Sequence, residues 1–192
     1  MKEADLYREV REFLTSIGAE IIFKFRDVSR CVRCKTPQPA MAEKGTPDYL
    51  FFLQGAPAFI EVKYVKGNQF NFNQVGEEQW EFMLSRAKHI PCFVWLGYEG
   101  NSVNSRTFPR RTFLVPIERL KEYRMILEQR GLKSLPLYAE DYNRKAAKKG
   151  GWDANTLLAD YELTWRDGKW TALTHPFFAE NPVKRSVQMR MV

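Results

Sequence analysis

The chain has 192 residues, of which 44% are hydrophobic and 28% charged, close to a globular average and too apolar for wholesale disorder. No apolar run approaches the roughly 18 residues of a membrane-spanning helix, Met1-Lys2-Glu3-Ala4-Asp5 offers no signal-like apolar core, and three cysteines cannot all pair with one another. A soluble protein of a reducing, cytoplasmic compartment is expected, able to fold without disulfide or metal staples.

Charge is unevenly placed. Lysine plus arginine number 30 against 23 acids, a net +7; residues 1–100 carry 13 of each sign, and residues 101–192 carry 17 basic against 10 acidic. A basic half in a chain of pI ≈ 9.3 suits a polyanion such as nucleic acid. The alternative is a basic surface that is merely solvated.

Leu6, Val10, Phe13, Leu14 and Ile17 form one apolar stripe, which predicts an amphipathic helix over 3–17 closed by Gly18. A short strand over 21–25 follows, and then a loop or extended excursion over 26–47 holding three prolines. Residues 49–53 and 58–64 predict a strand hairpin around Gln54-Gly55-Ala56-Pro57. A polar stretch over 66–73 leads into a helix over 74–87, a buried strand over 90–97 and a short strand over 112–115. Pro116 suits the first turn of a helix to about residue 130. Residues 161–165 and 169–173 flank Asp167-Gly168, a hairpin signal, and the last ten residues are expected to fray. No internal repeat is visible. The elements predict an α/β fold, with a core over 1–130 and a basic C-terminal extension over 131–192 containing that hairpin.

The informative stretch is Gly45-Thr46-Pro47-Asp48, then twelve residues, then Glu61-Val62-Lys63. Strand alternation puts Phe59, Glu61 and Lys63 on one face and Ile60, Val62 and Tyr64 on the other. A carboxylate and an ammonium within an apolar strand are costly unless they serve each other or an ion. Asp48 opens the other strand of the hairpin, so its carboxylate can converge on that of Glu61. Two carboxylates suit Mg²⁺ or Mn²⁺, which lowers the pKa of a bound water and steadies charge on phosphorus. Lys63 can orient or help deprotonate that water. The competing interpretation is a Glu-Lys ladder on a solvated strand, with Asp48 a turn residue.

These motifs resemble the PD-(D/E)XK nuclease superfamily, in particular RecU-like Holliday junction resolvases and the virus-type replication-repair nucleases. Pro47-Asp48 matches the PD element and Glu61-Val62-Lys63 the (D/E)XK element. The likeness spans residues 3 to about 120, including Glu3-Ala4-Asp5-Leu6, Glu77-Glu78-Gln79-Trp80-Glu81-Phe82-Met83 and Pro91-Cys92-Phe93-Val94-Trp95. The resemblance implies a restriction-endonuclease-like mixed sheet flanked by helices. It implies metal ligation by Asp48, Glu61 and the Val62 carbonyl, and a nucleophilic water positioned by Lys63. An acid on the first helix often completes such sites. Glu3, Asp5, Glu9 and Glu12 compete for that role; Glu3 is favoured because, at about 100° per residue, it lies nearest the middle of the apolar stripe. The alternative is a helix start decorated with acids to suit its dipole. Gln79 matches a glutamine that the related families carry near metal or phosphate; its plain alternative is an exposed helix glutamine.

Candidate DNA contacts are Lys66 in the polar stretch, with Asn68, Gln69 and Asn73; Arg30 and Arg33 in the excursion; and Lys145, Lys148 and Lys149 in the extension. Trp152, Trp165 and Trp170 near the last group are expected in the core. Cys31-Val32-Arg33-Cys34 supplies half of a zinc site; Cys92, His89 and His175 are distant in sequence, so zinc is not the favoured expectation. The function expected is a Mg²⁺- or Mn²⁺-dependent DNA endonuclease acting on branched or Holliday junction DNA in recombination, repair or replication, as a homodimer with no membrane partner. The alternatives are a flap, nick or restriction-type nuclease and, in another class, a catalytically silent DNA-binding module.

Overall fold

The structure, a computed structural model, describes residues 3–25, 45–67, 69–103, 106–138, 153–166 and 169–171. Helix α1 (Glu3–Ser16) leads into β1 (Ala19–Lys24), and β2 (Tyr49–Leu53) and β3 (Ala56–Val65) form the next pair. After β4 (Gln69–Asn71) and a 3-10 turn (Phe72–Gln74) come α2 (Glu77–Arg86) and β5 (Cys92–Tyr98). A small hairpin, β6 (Asn101–Val103) and β7 (Arg106–Phe108), precedes β8 (Arg111–Pro116), α3 (Ile117–Gln129) and β9 (Ser134–Pro136). The described C-terminal elements are α4 (Ala154–Leu157), a 3-10 turn (Ala159–Tyr161), β10 (Glu162–Arg166) and β11 (Lys169–Thr171).

Seven strands form one sheet in the order β1-β2-β3-β5-β8-β10-β11. Every neighbouring pair is antiparallel except β3 and β5, which run parallel because the chain between them crosses over through α2. Helix α1 covers one face, burying Leu6, Val10, Phe13 and Leu14 against Tyr49, Phe51, Ile60, Val62 and Trp95. Helices α2 and α3 cover the other, where Trp80, Met83, Leu120 and Leu127 meet Phe59, Val94, Leu96 and Phe113. All seven residues of β5 are buried, as a central strand covered on both faces requires. This is the α/β architecture, a mixed sheet flanked by helices, that the resemblance implies. Leu135, Leu137, Leu158 and Tyr161 pack into the α2–α3 side, and β10 joins the sheet beside β8.

The differences from sequence have local causes. The stretch expected as a polar loop contains β4 because Phe70 and Phe72 are buried, with ring centroids 5.5 Å apart, while Gln69, Asn71 and Asn73 face outward. The 3-10 turn then uses up residues 72–74, so α2 starts at Glu77 behind the N-cap Gly76. The β2–β3 hairpin turns on Gln54 (φ 53°) and Gly55 (φ 79°), two left-handed residues that match the twist of the flanking strands. The tryptophans do not share one fate. Trp95 is fully buried and Trp170 partly so, but Trp165 is 50% exposed, against the expected core placement. Trp152 lies outside the described residues. Among the described residues, no helix is long and apolar enough to cross a membrane.

Candidate active site

Register brings the two carboxylates together. Tyr49 pairs with Ile60 at the start of β2, so one further step places Asp48 opposite Glu61. The pair then interlocks: the Asp48 amide donates to Glu61 Oε2 (3.2 Å), and the Val62 amide donates to Asp48 Oδ2 (2.8 Å). β2 begins only at Tyr49, so the backbone groups of Val62, which alternation turns toward β2, have no strand partner there. The Asp48 side chain takes the amide, and the Val62 carbonyl points to the same side, past the end of β2.

Glu61 and Lys63 share the face of β3 that looks toward α2. Lys63 Nζ lies 2.5 Å from Glu61 Oε1 and donates to Gln79 Oε1 (3.2 Å), while Gln79 Nε2 donates to Glu61 Oε1 (2.7 Å). Gln79 is the third residue of α2, and its Oε1 also accepts from the Gly76 amide (3.1 Å), half of a capping box. The start of α2 therefore fixes the glutamine amide with its oxygen toward Lys63 and its nitrogen toward Glu61.

The loop carrying Asp48 is held against the same helix turn. Gly45 has φ +85°, and a Cβ there would lie 2.5 Å from the Glu78 carbonyl oxygen and 3.2 Å from the Gln79 nitrogen. Only glycine meets both conditions. Gly45→Ala is expected to lose about 1–3 kcal/mol of stability in urea denaturation, through backbone strain and displacement of α2, with a parallel loss of any activity that depends on Gln79. Unchanged stability would mean that the contact is not tight.

On the other side, the Tyr7 hydroxyl of α1 donates to Asp48 Oδ1 (3.2 Å), and Lys24 Nζ sits 3.3 Å from the Tyr7 ring centroid. Sequence reasoning missed both residues. The one available signal for Tyr7 was its place one helical turn after Glu3. Glu3 lies in α1, but its side chain is outside the described residues. The other acids of that helix are engaged elsewhere: Asp5 and Glu12 with Arg8, and Glu9 with Arg110.

Burial dominates the electrostatics. Glu61 is 2% exposed, and desolvation, followed by the neighbouring Asp48 charge, pushes it up to about 7 against the pull of Lys63 and Gln79. Desolvation also raises Asp48, opposed first by the Val62 amide and then by Lys63, Tyr7 and Lys24. A buried and a half-buried carboxylate thus lie side by side with Lys63, an arrangement in which a divalent cation would hold both in their charged form. Asp48, Glu61 and the Val62 carbonyl are the oxygens that could hold it. Among the described residues, no cluster of three or more His, Cys, Asp or Glu gathers, so water and a phosphate oxygen would complete the shell, as Mg²⁺ commonly allows.

The Tyr7 bond yields a test. An O–H donor favours the ionised carboxylate, so Tyr7→Phe should raise Asp48 further and move the acidic limb of any pH–rate profile to higher pH. An unmoved limb would show that the bond does not tune Asp48.

Lys66 is exposed just after β3. Arg30, Arg33, Lys145, Lys148 and Lys149 lie outside the described residues, as do Cys31, Cys34 and His175. Cys92 is buried in β5 with its thiol donating to the Ile90 carbonyl (3.3 Å), and burial pushes it up to about 12. His89 is exposed after α2.

No protein-family model matches the sequence, and no curated protein matches it. Among solved structures, the chain is similar to Hjc of Archaeoglobus fulgidus, a Holliday junction resolvase from an archaeal hyperthermophile. The identity is 14%, over 60% of this chain and 78% of that one, with a TM-score of 0.39.

Proposed function

We propose that the chain is a divalent-metal-dependent DNA endonuclease, with Asp48 and Glu61 as carboxylate ligands, the Val62 carbonyl as a third, and Lys63 and Gln79 as the groups that handle the attacking water. The observation that carries this proposal is the interlocked pair: each carboxylate accepts from the other's strand backbone, and Lys63 and Gln79 meet on Glu61 Oε1. Bound Mg²⁺ would supply a water of lowered pKa and stabilise charge on the phosphate. The protein's own groups do the rest. Lys63 orients the water, Gln79 keeps the Lys63 ammonium in place, and the Tyr7 bond favours the ionised form of Asp48.

Branched DNA, such as a Holliday junction, is the proposed substrate on the strength of the sequence resemblance, and a homodimer would give one active site for each of two strands. The test is cleavage of labelled junction, flap, linear duplex and single-stranded DNA in Mg²⁺ and in EDTA. Cuts only with Mg²⁺, and fastest on the junction, are expected. No cut on any substrate would overturn the activity, and equal rates on all would overturn the preference.

A further inference from the structure

Beside the Asp48 end of the site lies a cleft of ≈ 660 Å³, lined by Tyr7, Arg8, Arg11 and Glu12 of α1, Lys24 of β1, Tyr49 of β2 and Trp165 of β10. That volume falls within the roughly 300–1,000 Å³ of small-ligand sites. Three cations line it against one acid, and Glu12 lies 3.8 Å from Arg8. Tyr7 belongs both to this cleft and to the candidate site, through its bond to Asp48, and is thus a wall common to the two.

Trp165 gives the cleft its chemistry. Its indole is 50% exposed, yet its place is fixed, because its ring packs edge-on against Trp170, 5.2 Å away. Trp170 in turn packs edge-on against Trp95 (5.7 Å) and Phe13 (6.4 Å). Trp95 and Trp170 already fill the core beneath α1, so the exposed ring adds little to burial. A rigid, half-exposed indole among cations is the arrangement that stacks a nucleic-acid base while holding its phosphates.

We propose that this cleft binds an unpaired DNA strand adjoining the scissile phosphate, with a base stacked on Trp165 and phosphates held by Arg8, Arg11 and Lys24. The inference rests on the nuclease proposal for the strand's course, and it adds the preference for an unpaired segment. Bases within a duplex are already stacked on one another and offer no free face to the indole.

Binding can be measured apart from cleavage, in EDTA, by fluorescence anisotropy on labelled oligothymidylate and on a linear duplex. Trp165→Ala should weaken single-strand binding roughly 5- to 150-fold, the range of one lost base stack, and change duplex binding less than about twofold. Trp165→Phe should keep most of the affinity. Arg11→Ala, at an exposed helix position that leaves the core untouched, should lower the single-strand salt slope by about 0.7. Circular dichroism establishes that each variant is folded. Unchanged single-strand affinity in Trp165→Ala, or equal losses on both DNAs, would overturn the cleft assignment. If the wild type cuts no DNA but the Trp165 dependence holds, the nuclease proposal fails and the cleft stands. If the wild type cuts and Trp165→Ala binds normally, the cleft proposal alone fails.

Discussion

Replacing Lys63 by alanine is expected to leave the fold and DNA binding intact and to slow cleavage by about 10²–10⁴-fold, the usual contribution of one positioned proton-transfer or orienting group. The side chain is 17% exposed at the mouth of the site, so its removal opens no core cavity. It does remove the cation closest to Glu61, which raises that carboxyl further. The comparison therefore belongs at about pH 8.5–9 and saturating Mg²⁺, roughly two units above the wild-type Glu61 value of about 7, where loss of metal does not mimic loss of the ammonium. Near-native cleavage under those conditions would remove Lys63 from the chemistry.

The second large effect is on stability without metal. Folded Glu61 titrates at about 7, against a reference value of 4.5. Between those values the native state keeps a proton that the unfolded chain has released, so stability falls as pH rises. The contribution is complete below about 4.5 and lost above about 7, amounting to about 3–4 kcal/mol at most, since one pKa unit is about 1.4 kcal/mol. In EDTA, the melting temperature should drop across this window. Mg²⁺ should restore it, and by more at pH 8 than at pH 5, because only the ionised pair binds the cation. Glu61→Gln should flatten the dependence whatever its absolute stability. A wild-type melting temperature that does not change with pH across the window would show that Glu61 is ionised in the folded state throughout.

The elements around the site were legible because their periodicities are strong. The apolar stripe of α1 and the continuous apolar run of β5 each follow from which faces are buried. The hairpin itself was legible, but its register was not: the sequence marks a turn over 54–57, whereas the chain turns on Gln54 and Gly55 alone and β3 starts at Ala56, which places Asp48 opposite Glu61. Local pattern fails where the partner is remote. β4 exists because β9, more than sixty residues on, pairs with it, and nothing near Phe70 announces that partner. Tyr7 looks like an ordinary residue at the margin of an amphipathic stripe; its role depends on where α1 crosses the end of β2. Gly45 reads as a turn glycine, and its contact with the Glu78 carbonyl appears only once α2 is docked. Trp165 was expected in the core on composition, but Trp170 and Trp95 occupy that space and leave it outside.

The central claim is that Asp48 and Glu61 carry a metal-dependent hydrolysis of phosphodiesters. Its most direct test is single-turnover cleavage of an end-labelled junction by wild-type protein and by Asp48→Asn, prepared side by side, in Mg²⁺ and in EDTA. The account predicts cleavage by the wild type in Mg²⁺, none in EDTA, and a loss of at least about 100-fold in the variant, whose neutral amide is a poor ligand for a hard cation. Cleavage that survives EDTA, or that is equal in the two proteins, would contradict it.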